Sequence, residues 1–246
     1  MIERELEIPA PDGVSDGVFF LPEARRTLPG AFFLTDVGGI RPSQRQMARR
    51  LADAGYAVLM PNVFYRTRRP PMFDFPMNFR EERTRARMAE LTTPLTPDAI
   101  ERDAHAFAAY LAAQVGVAPS PMGAAGLCFS GALAMRFAAA LPNLIAAAAS
   151  FHGGRLFIDA PTSPHLLLPR IKAHLYFGHA IKDSSMPAEA IEKFNAALAA
   201  WGGRYTSEVY DGAYHSWTVP DSPLYDEPQA ERAFAKLTEL FATALH

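Results

Sequence analysis

Short apolar runs alternate with amphipathic stretches along most of this chain. Residues 18–21 and 31–35 (AFFLT) have the length and apolar character of strands. Residues 42–54, PSQRQMARRLADA, place Met47, Leu51 and Ala54 at helical spacing, and Gly55 supplies a stop. Residues 56–60 (YAVLM) then read as a buried strand closed by Pro61. Further on, Thr96 and Pro97 open a helix carrying Ile100, Phe107 and Leu111, because proline suits the first helical position. Strands are expected over 122–127, 145–151, 173–177 and 205–210, and helices over 132–141, 187–201 and 228–245. Such alternation predicts an α/β fold, with a mostly parallel sheet covered by helices on both faces.

Residues 62–95 interrupt this rhythm. Between 66 and 87 stand seven arginines (66, 68, 69, 80, 83, 85 and 87) against Asp74, Glu81 and Glu82, interleaved with prolines and phenylalanines. The segment is expected to be an excursion with some helix, reaching over the carboxyl edge of the sheet. No repeat, low-complexity tract or linker divides the chain, so residues 1–246 read as one domain carrying this excursion.

Composition narrows the function classes. Hydrophobic residues make up 49% and charged residues 20%, the profile of a globular protein with a large core. A net charge of -2 gives no electrostatic reason to expect nucleic acid or an anionic membrane as partner. No apolar stretch is long enough to span a bilayer, and the opening MIERELEIPAPDG has charges where a signal peptide needs an apolar core. A cytoplasmic protein is therefore expected, a monomer or small homo-oligomer acting on a small molecule. The single cysteine excludes an intramolecular disulfide. The seven histidines show no metal-ligand spacing, so neither metal nor cofactor is expected.

That cysteine is the main chemical signal. Gly126, Leu127, Cys128, Phe129, Ser130 and Gly131 lie between a strand and a helix, where a sharp turn lifts a nucleophile above a sheet. Gly126, Ser130, Gly131 and Ala132 are small, as that turn demands. The following helix N-terminus favours thiolate over thiol. A free cysteine is more often a small buried hydrophobe, but this setting reverses the odds. Further along, a strand ends in GHAIKD, bringing Asp183, and the next ends in DGAYHSW, bringing His215. Nucleophile, acid and histidine in this order is the α/β-hydrolase sequence of triad members, and ligands bind at the carboxyl edge of open parallel sheets. Other candidates carry less. Asp211 shares a loop with His215. His152, in Phe151-His152-Gly153-Gly154, follows the nucleophile where an oxyanion loop should precede it, and reads as a structural turn. His179 reads as a surface or supporting residue, and His105 as a solvated helix residue.

The elbow GLCFSG, the acid loop GHAIKD and the histidine loop GAYHSW together resemble the dienelactone hydrolase family. FFLTDVGG, RLADAGYAVLMPNVF and the C-terminal AERAFAKLTELF extend the resemblance over nearly the whole chain. It implies an α/β-hydrolase that opens enol-lactones or related esters through a thiolate, without a metal. It also implies oxyanion donors at the backbone N–H groups of Val37 and Phe129. Three positions depart from the family. Ser130 stands where the elbow usually has glycine. Asp36 stands where a glutamate often tunes the thiol, so Asp36 is expected to face Cys128. Val219 stands where chlorocatechol-pathway members have an arginine for the substrate carboxylate, which leaves Arg80 as the candidate for that contact.

A free thiol has a pKa of about 8.5 and needs help at neutral pH. The expected chemistry is attack by Cys128, activated by His215, with Asp183 fixing the imidazole tautomer and a thioester formed on the way. The competing readings are a general carboxylesterase or thioesterase, and a non-catalytic ligand-binding protein or oxidant-sensing thiol.

Overall fold

Ile2–Ala10 (β1) and Gly13–Leu21 (β2) form an antiparallel hairpin at one edge of the sheet. Six further strands follow: Gly30–Leu34 (β3), Ala57–Pro61 (β4), Met122–Leu127 (β5), Ile145–Phe151 (β6), His174–Ala180 (β7) and Tyr205–Tyr210 (β8). Together the eight make one sheet in the order β1-β2-β4-β3-β5-β6-β7-β8, with β3 to β8 parallel. The computed structural model describes residues 1–23 and 26–245.

The inner strands β3 to β7 are apolar on both sides because both sides are covered. Neighbours along a strand point to opposite faces, so Phe32 and Leu59 join one core cluster while Phe33, Val58 and Met60 join the other. On the first face lie Pro97–Ala112 (α3), Ser130–Ala140 (α4) and Ala188–Trp201 (α5), through side chains such as Phe107, Phe137 and Phe194. On the second lie Pro42–Asp53 (α1) and Glu227–Ala244 (α6), through Leu51, Leu237 and Phe241. Strand β5 reads MGAAGL, and its small residues let α6 approach closely: a Cβ on Gly123 would sit 2.5 Å from the Phe241 ring. As expected, Thr96 caps α3, its side chain accepting from the Ala99 N–H.

Three elements differ from the sequence expectation. Strand β1 was not foreseen, because only Ile8 is buried along it; its pairing comes from the hairpin turn at Pro11 and Asp12 rather than from an apolar face. Helix α4 begins at Ser130, two residues early, because the turn after β5 is so tight. A 3-10 stretch at Pro164–Arg170 between β6 and β7 was not foreseen, whereas the excursion contains a helix, Glu82–Thr92 (α2), in keeping with the expectation of some helix there.

The excursion is held by its own arginines. Arg66 pairs with the buried Asp103 and with Asp12, Arg69 with Glu7 and Arg83 with Glu81. Arg87 donates to the Met72 carbonyl, and Arg85 to those of Phe79 and Arg80. A freely solvated basic loop therefore does not describe it: it is cross-braced, and it brings Met77 and Phe79 to the carboxyl edge.

Candidate active site

Cys128 stands between β5 and α4 with φ 58°, in the left-handed region that a residue with a Cβ rarely adopts. Its neighbours make the turn possible. A Cβ on Gly126 would lie 2.0 Å from the Ser130 carbonyl oxygen, and one on Gly131 would lie 2.1 Å from Ser150 Oγ. The strained conformation, costing on the order of 1–3 kcal/mol, is fixed from both ends. The Cys128 N–H donates to the Phe151 carbonyl at 3.1 Å and to His152 Nδ1 at 3.0 Å. Its carbonyl accepts from the N–H groups of Gly131 and Gly154.

Ser130, treated in the sequence as a tolerated replacement for glycine, is a cross-link. Its hydroxyl accepts from the Leu127 N–H at 2.8 Å and donates to the Leu34 carbonyl at 2.7 Å. The elbow is thereby tied to the end of β3, from which the loop of Asp36 and Val37 departs.

The loops after β5, β7 and β8 bring three side chains into line. His215 Nε2 lies 3.1 Å from Cys128 Sγ, and His215 Nδ1 lies 2.6 Å from Asp183 Oδ2. The other carboxylate oxygen of Asp183 accepts from the N–H and hydroxyl of Ser185. The Ile181 N–H donates to the Ala213 carbonyl, joining the acid and histidine loops. Burial opposes charge on His215, but its hydrogen bonds to Asp183 and Cys128 outweigh that and push its pKa up to about 10. Burial likewise opposes charge on Asp183, and its bonds from His215 and Ser185 hold the carboxyl below its ordinary range. Asp211, the other acid considered, is exposed, and its backbone carbonyl accepts from Gln229.

His152 is a turn residue, with φ 41°, but it does more than turn the chain. The ring is fully buried and packs against the rings of His215 and Trp217, each with centroids 5.1 Å away. Accepting the Cys128 N–H at Nδ1 leaves the proton on Nε2, which donates to Thr218 Oγ1 at 2.8 Å. Burial, and then the nearby His215, push its pKa well below the ordinary value, so the ring is neutral. His179 is buried rather than on the surface: Nε2 meets Ser207 Oγ, and burial lowers its pKa to about 4. His105 is exposed on α3.

A cavity of about 390 Å³ opens above Cys128 and His215. Val37, Met77, Phe79, Val219 and Leu224 give it apolar walls. The N–H groups of Val37 and Phe129 donate to no other group among the described residues, as oxyanion donors require. Asp36 lines the same cavity, but its carboxylate does not bond the thiol. Oδ1 accepts from the Gly38 N–H and from Arg41, and Oδ2 from Arg41 and Gln44, while the hydrogen bond of Sγ goes to His215. The expected tuning contact is therefore replaced by an ion pair with Arg41. Aspartate's short side chain suits the reach to the loop N–H two residues on, an Asx-type turn. Arg80 is exposed and does not line the cavity; the arginine that does is Arg41.

Sequence reading missed Arg41, Asp221, Ser130 and the role of His152. Arg41 stands two residues after the glycine turn Gly38-Gly39 and directly before a helix, a position that could have drawn attention to it. The partner Asp221 lies 180 residues away, and nothing local announces it.

Strand order, the covered parallel sheet and a strained residue at a strand-to-helix elbow define an α/β-hydrolase. The chain is a member of the dienelactone hydrolase family, whose family profile matches residues 15–245. Carboxymethylenebutenolidase from Rhodococcus opacus is 28% identical over 195 residues, covering 77% of this chain and 72% of that protein. A solved structure from Klebsiella pneumoniae superposes with a TM-score of 0.86 at 22% identity, covering 98% of each chain. A dienelactone hydrolase-like promiscuous phosphotriesterase from metagenomic libraries gives a TM-score of 0.79 at 21% identity, covering 100% of this chain and 99% of the other. At such identities these two structures speak for the fold. Among the described residues, no helix is long and apolar enough to cross a membrane, and no group of His, Cys, Asp and Glu side chains is arranged to hold a metal ion.

Proposed function

We propose that this protein hydrolyses carboxylic esters or lactones, the class its carboxymethylenebutenolidase relatives are named for, through a thioester on Cys128. The observation that carries the reading is the continuous line from Cys128 Sγ to His215 Nε2 at 3.1 Å and from His215 Nδ1 to Asp183 at 2.6 Å. A ligand-binding protein has no need of that line, and a sensor thiol has no need of the acid behind the histidine.

His215 takes the thiol proton, and the thiolate attacks the carbonyl carbon. The N–H groups of Phe129 and Val37 stabilise the oxyanion. When the tetrahedral species collapses, the C–O bond breaks and His215 Nε2–H protonates the leaving alkoxide. In a lactone that alkoxide stays attached to the acyl group. A water molecule then gives its proton to His215 and attacks the thioester. The second collapse releases the acid and returns the thiolate, with Asp183 holding the imidazole tautomer throughout.

The test is turnover of a panel of aryl esters and lactones by wild type and Cys128→Ala, with iodoacetamide labelling in parallel. Turnover lost in the variant, and lost in step with labelling of Cys128, is expected. Full turnover after stoichiometric alkylation defeats the mechanism.

A further inference from the structure

Arg41 is the arginine at the cavity wall, and its guanidinium is already full. An arginine side chain has five N–H donors. One edge of Arg41 is bidentate to Asp36, with NH1 at 2.6 Å from Oδ1 and NH2 at 2.8 Å from Oδ2. The other edge is bidentate to Asp221, with Nε at 2.8 Å from Oδ2 and NH2 at 3.0 Å from Oδ1. The remaining NH1 donor reaches the Gly39 carbonyl at 3.3 Å. No donor is left for a substrate.

The two aspartates differ in how firmly they are held. Asp36 has 10% of its side chain exposed and takes further bonds from Gly38 and Gln44. Asp221 has 47% of its side chain exposed and comes from the loop after His215, two residues beyond Val219. Both line the cavity. One cation against two carboxylates leaves this wall with a net negative charge, facing walls of Val37, Met77, Phe79 and Leu224.

We propose that Asp221 determines substrate charge by occupying, with its own carboxylate, the edge of Arg41 that would otherwise bind an anionic substrate. The cavity then takes uncharged, largely apolar esters or lactones and turns carboxylated ones away, and loss of Asp221 opens a carboxylate site. This rests on the hydrolase reading for its substrate class, while the occupancy of Arg41 stands on the geometry alone.

The experiment compares kcat/KM for matched neutral and carboxylated aryl esters in wild type, Asp221→Ala and Asp221→Asn. Affinity for benzoate is measured calorimetrically on the same three proteins. Wild type is expected to favour the neutral ester. In Asp221→Ala the carboxylated-to-neutral ratio should rise by about tenfold or more, because a bidentate guanidinium edge is freed. Asparagine removes the charge but still covers that edge, so its gain should be several-fold smaller. A wild-type preference for the carboxylated ester, an unchanged ratio in Asp221→Ala, or equal gains in the two variants would overturn the proposal. The last outcome would assign the effect to net charge alone. If wild type turns over neither ester, the hydrolase reading fails, and benzoate still decides the clamp. Binding about tenfold tighter in Asp221→Ala supports it, and equal affinity overturns it.

Discussion

The two sides of the cavity are built in opposite ways. On the side of Cys128, the side chains stand on loops that directly follow β5, β6, β7 and β8, and Cys128, His152, Asp183 and His215 are each held by hydrogen bonds to buried or half-buried partners. All five non-glycine residues with positive φ among the described residues lie in those four loops: Cys128, His152, Arg155, Lys182 and Ser216. The opposite side comes from residues 62–95 and from the loop after His215. There Met77, Phe79 and Leu224 are exposed, and the bonds of residues 62–95 brace the segment to itself, to the β1–β2 hairpin and to α3. Backbone strain collects where reacting atoms must be held, and it needs over-determined surroundings to persist. Substrate-shaping residues need no such precision and can vary without disturbing the sheet.

The largest expected effect is on the rigid side. Cys128→Ala and His215→Ala should each lower kcat by about 10⁴-fold or more, since triad members act as a unit. Asp183→Asn should cost somewhat less, about 10²- to 10⁴-fold, while Asp211→Asn stays within about twofold. The check is kcat for an aryl ester with circular dichroism to confirm folding. A greater loss in Asp211→Asn than in Asp183→Asn would mean that the acid comes from the histidine's own loop.

His152 gives the next effect. His152→Ala removes the bonds to the Cys128 N–H and Thr218, and should cost about 2–4 kcal/mol of stability and about 10- to 100-fold in kcat. His152→Asn can still present an acceptor to the Cys128 N–H and should restore part of kcat. Thr218→Val should cost only about 1–2 kcal/mol. Equal kcat in His152→Ala and His152→Asn would mean that the ring supports only packing.

Stability against pH should report the same buried side. His152 and His179 are neutral in the folded protein, with pKa values pushed below 6.5, to about 4 for His179. The unfolded chain therefore binds more protons as pH falls from about 6.5 towards 4, and stability should fall through that window. His215 has the opposite sign. Its raised pKa gives stability that is complete below about 6.5 and is lost as pH climbs through about 10. Urea midpoints from pH 4 to 10 should thus form a dome. His179→Phe should flatten the acid limb by on the order of 3 kcal/mol at most. An unchanged acid limb in that variant would show that His179 takes up its proton without unfolding.

How much was readable in the sequence follows the same division. Cys128, Asp183 and His215 could be singled out because each follows the carboxyl end of a strand that the sequence predicts, and chain order suggests their parts. Most of the parallel core was readable for the same reason. Strand β1 was not, since an edge strand with little buried surface carries almost no hydrophobic pattern. Nor were the links that depend on pairs remote in sequence. The contact of Ser130 with the Leu34 carbonyl spans 96 residues, that of His152 with Thr218 spans 66, and that of Arg41 with Asp221 spans 180. Asp36 shows the limit from another side: it lines the cavity beside Cys128, but its carboxylate bonds Arg41, a partner that nothing in the sequence announced.

The smallest expected effect sharpens the contrast from the outer, more exposed side. Arg80 entered as the candidate carboxylate contact because the family it resembles has a carboxylate-binding arginine in the corresponding segment. The structure leaves it exposed, while its neighbour Phe79 lines the cavity. A solvent-screened charge outside the cavity contributes little to binding. Arg80→Ala should therefore change kcat/KM by less than about twofold for neutral and carboxylated esters alike. Phe79→Ala removes apolar wall, and should raise KM several-fold for aryl esters with kcat nearly unchanged, the pattern of lost uniform binding. Phe79 is 52% exposed, so its loss should leave stability almost untouched. Steady-state kinetics on both variants decide the matter. A large, carboxylate-specific loss in Arg80→Ala would mean that residues 62–95 share in recognition of substrate charge.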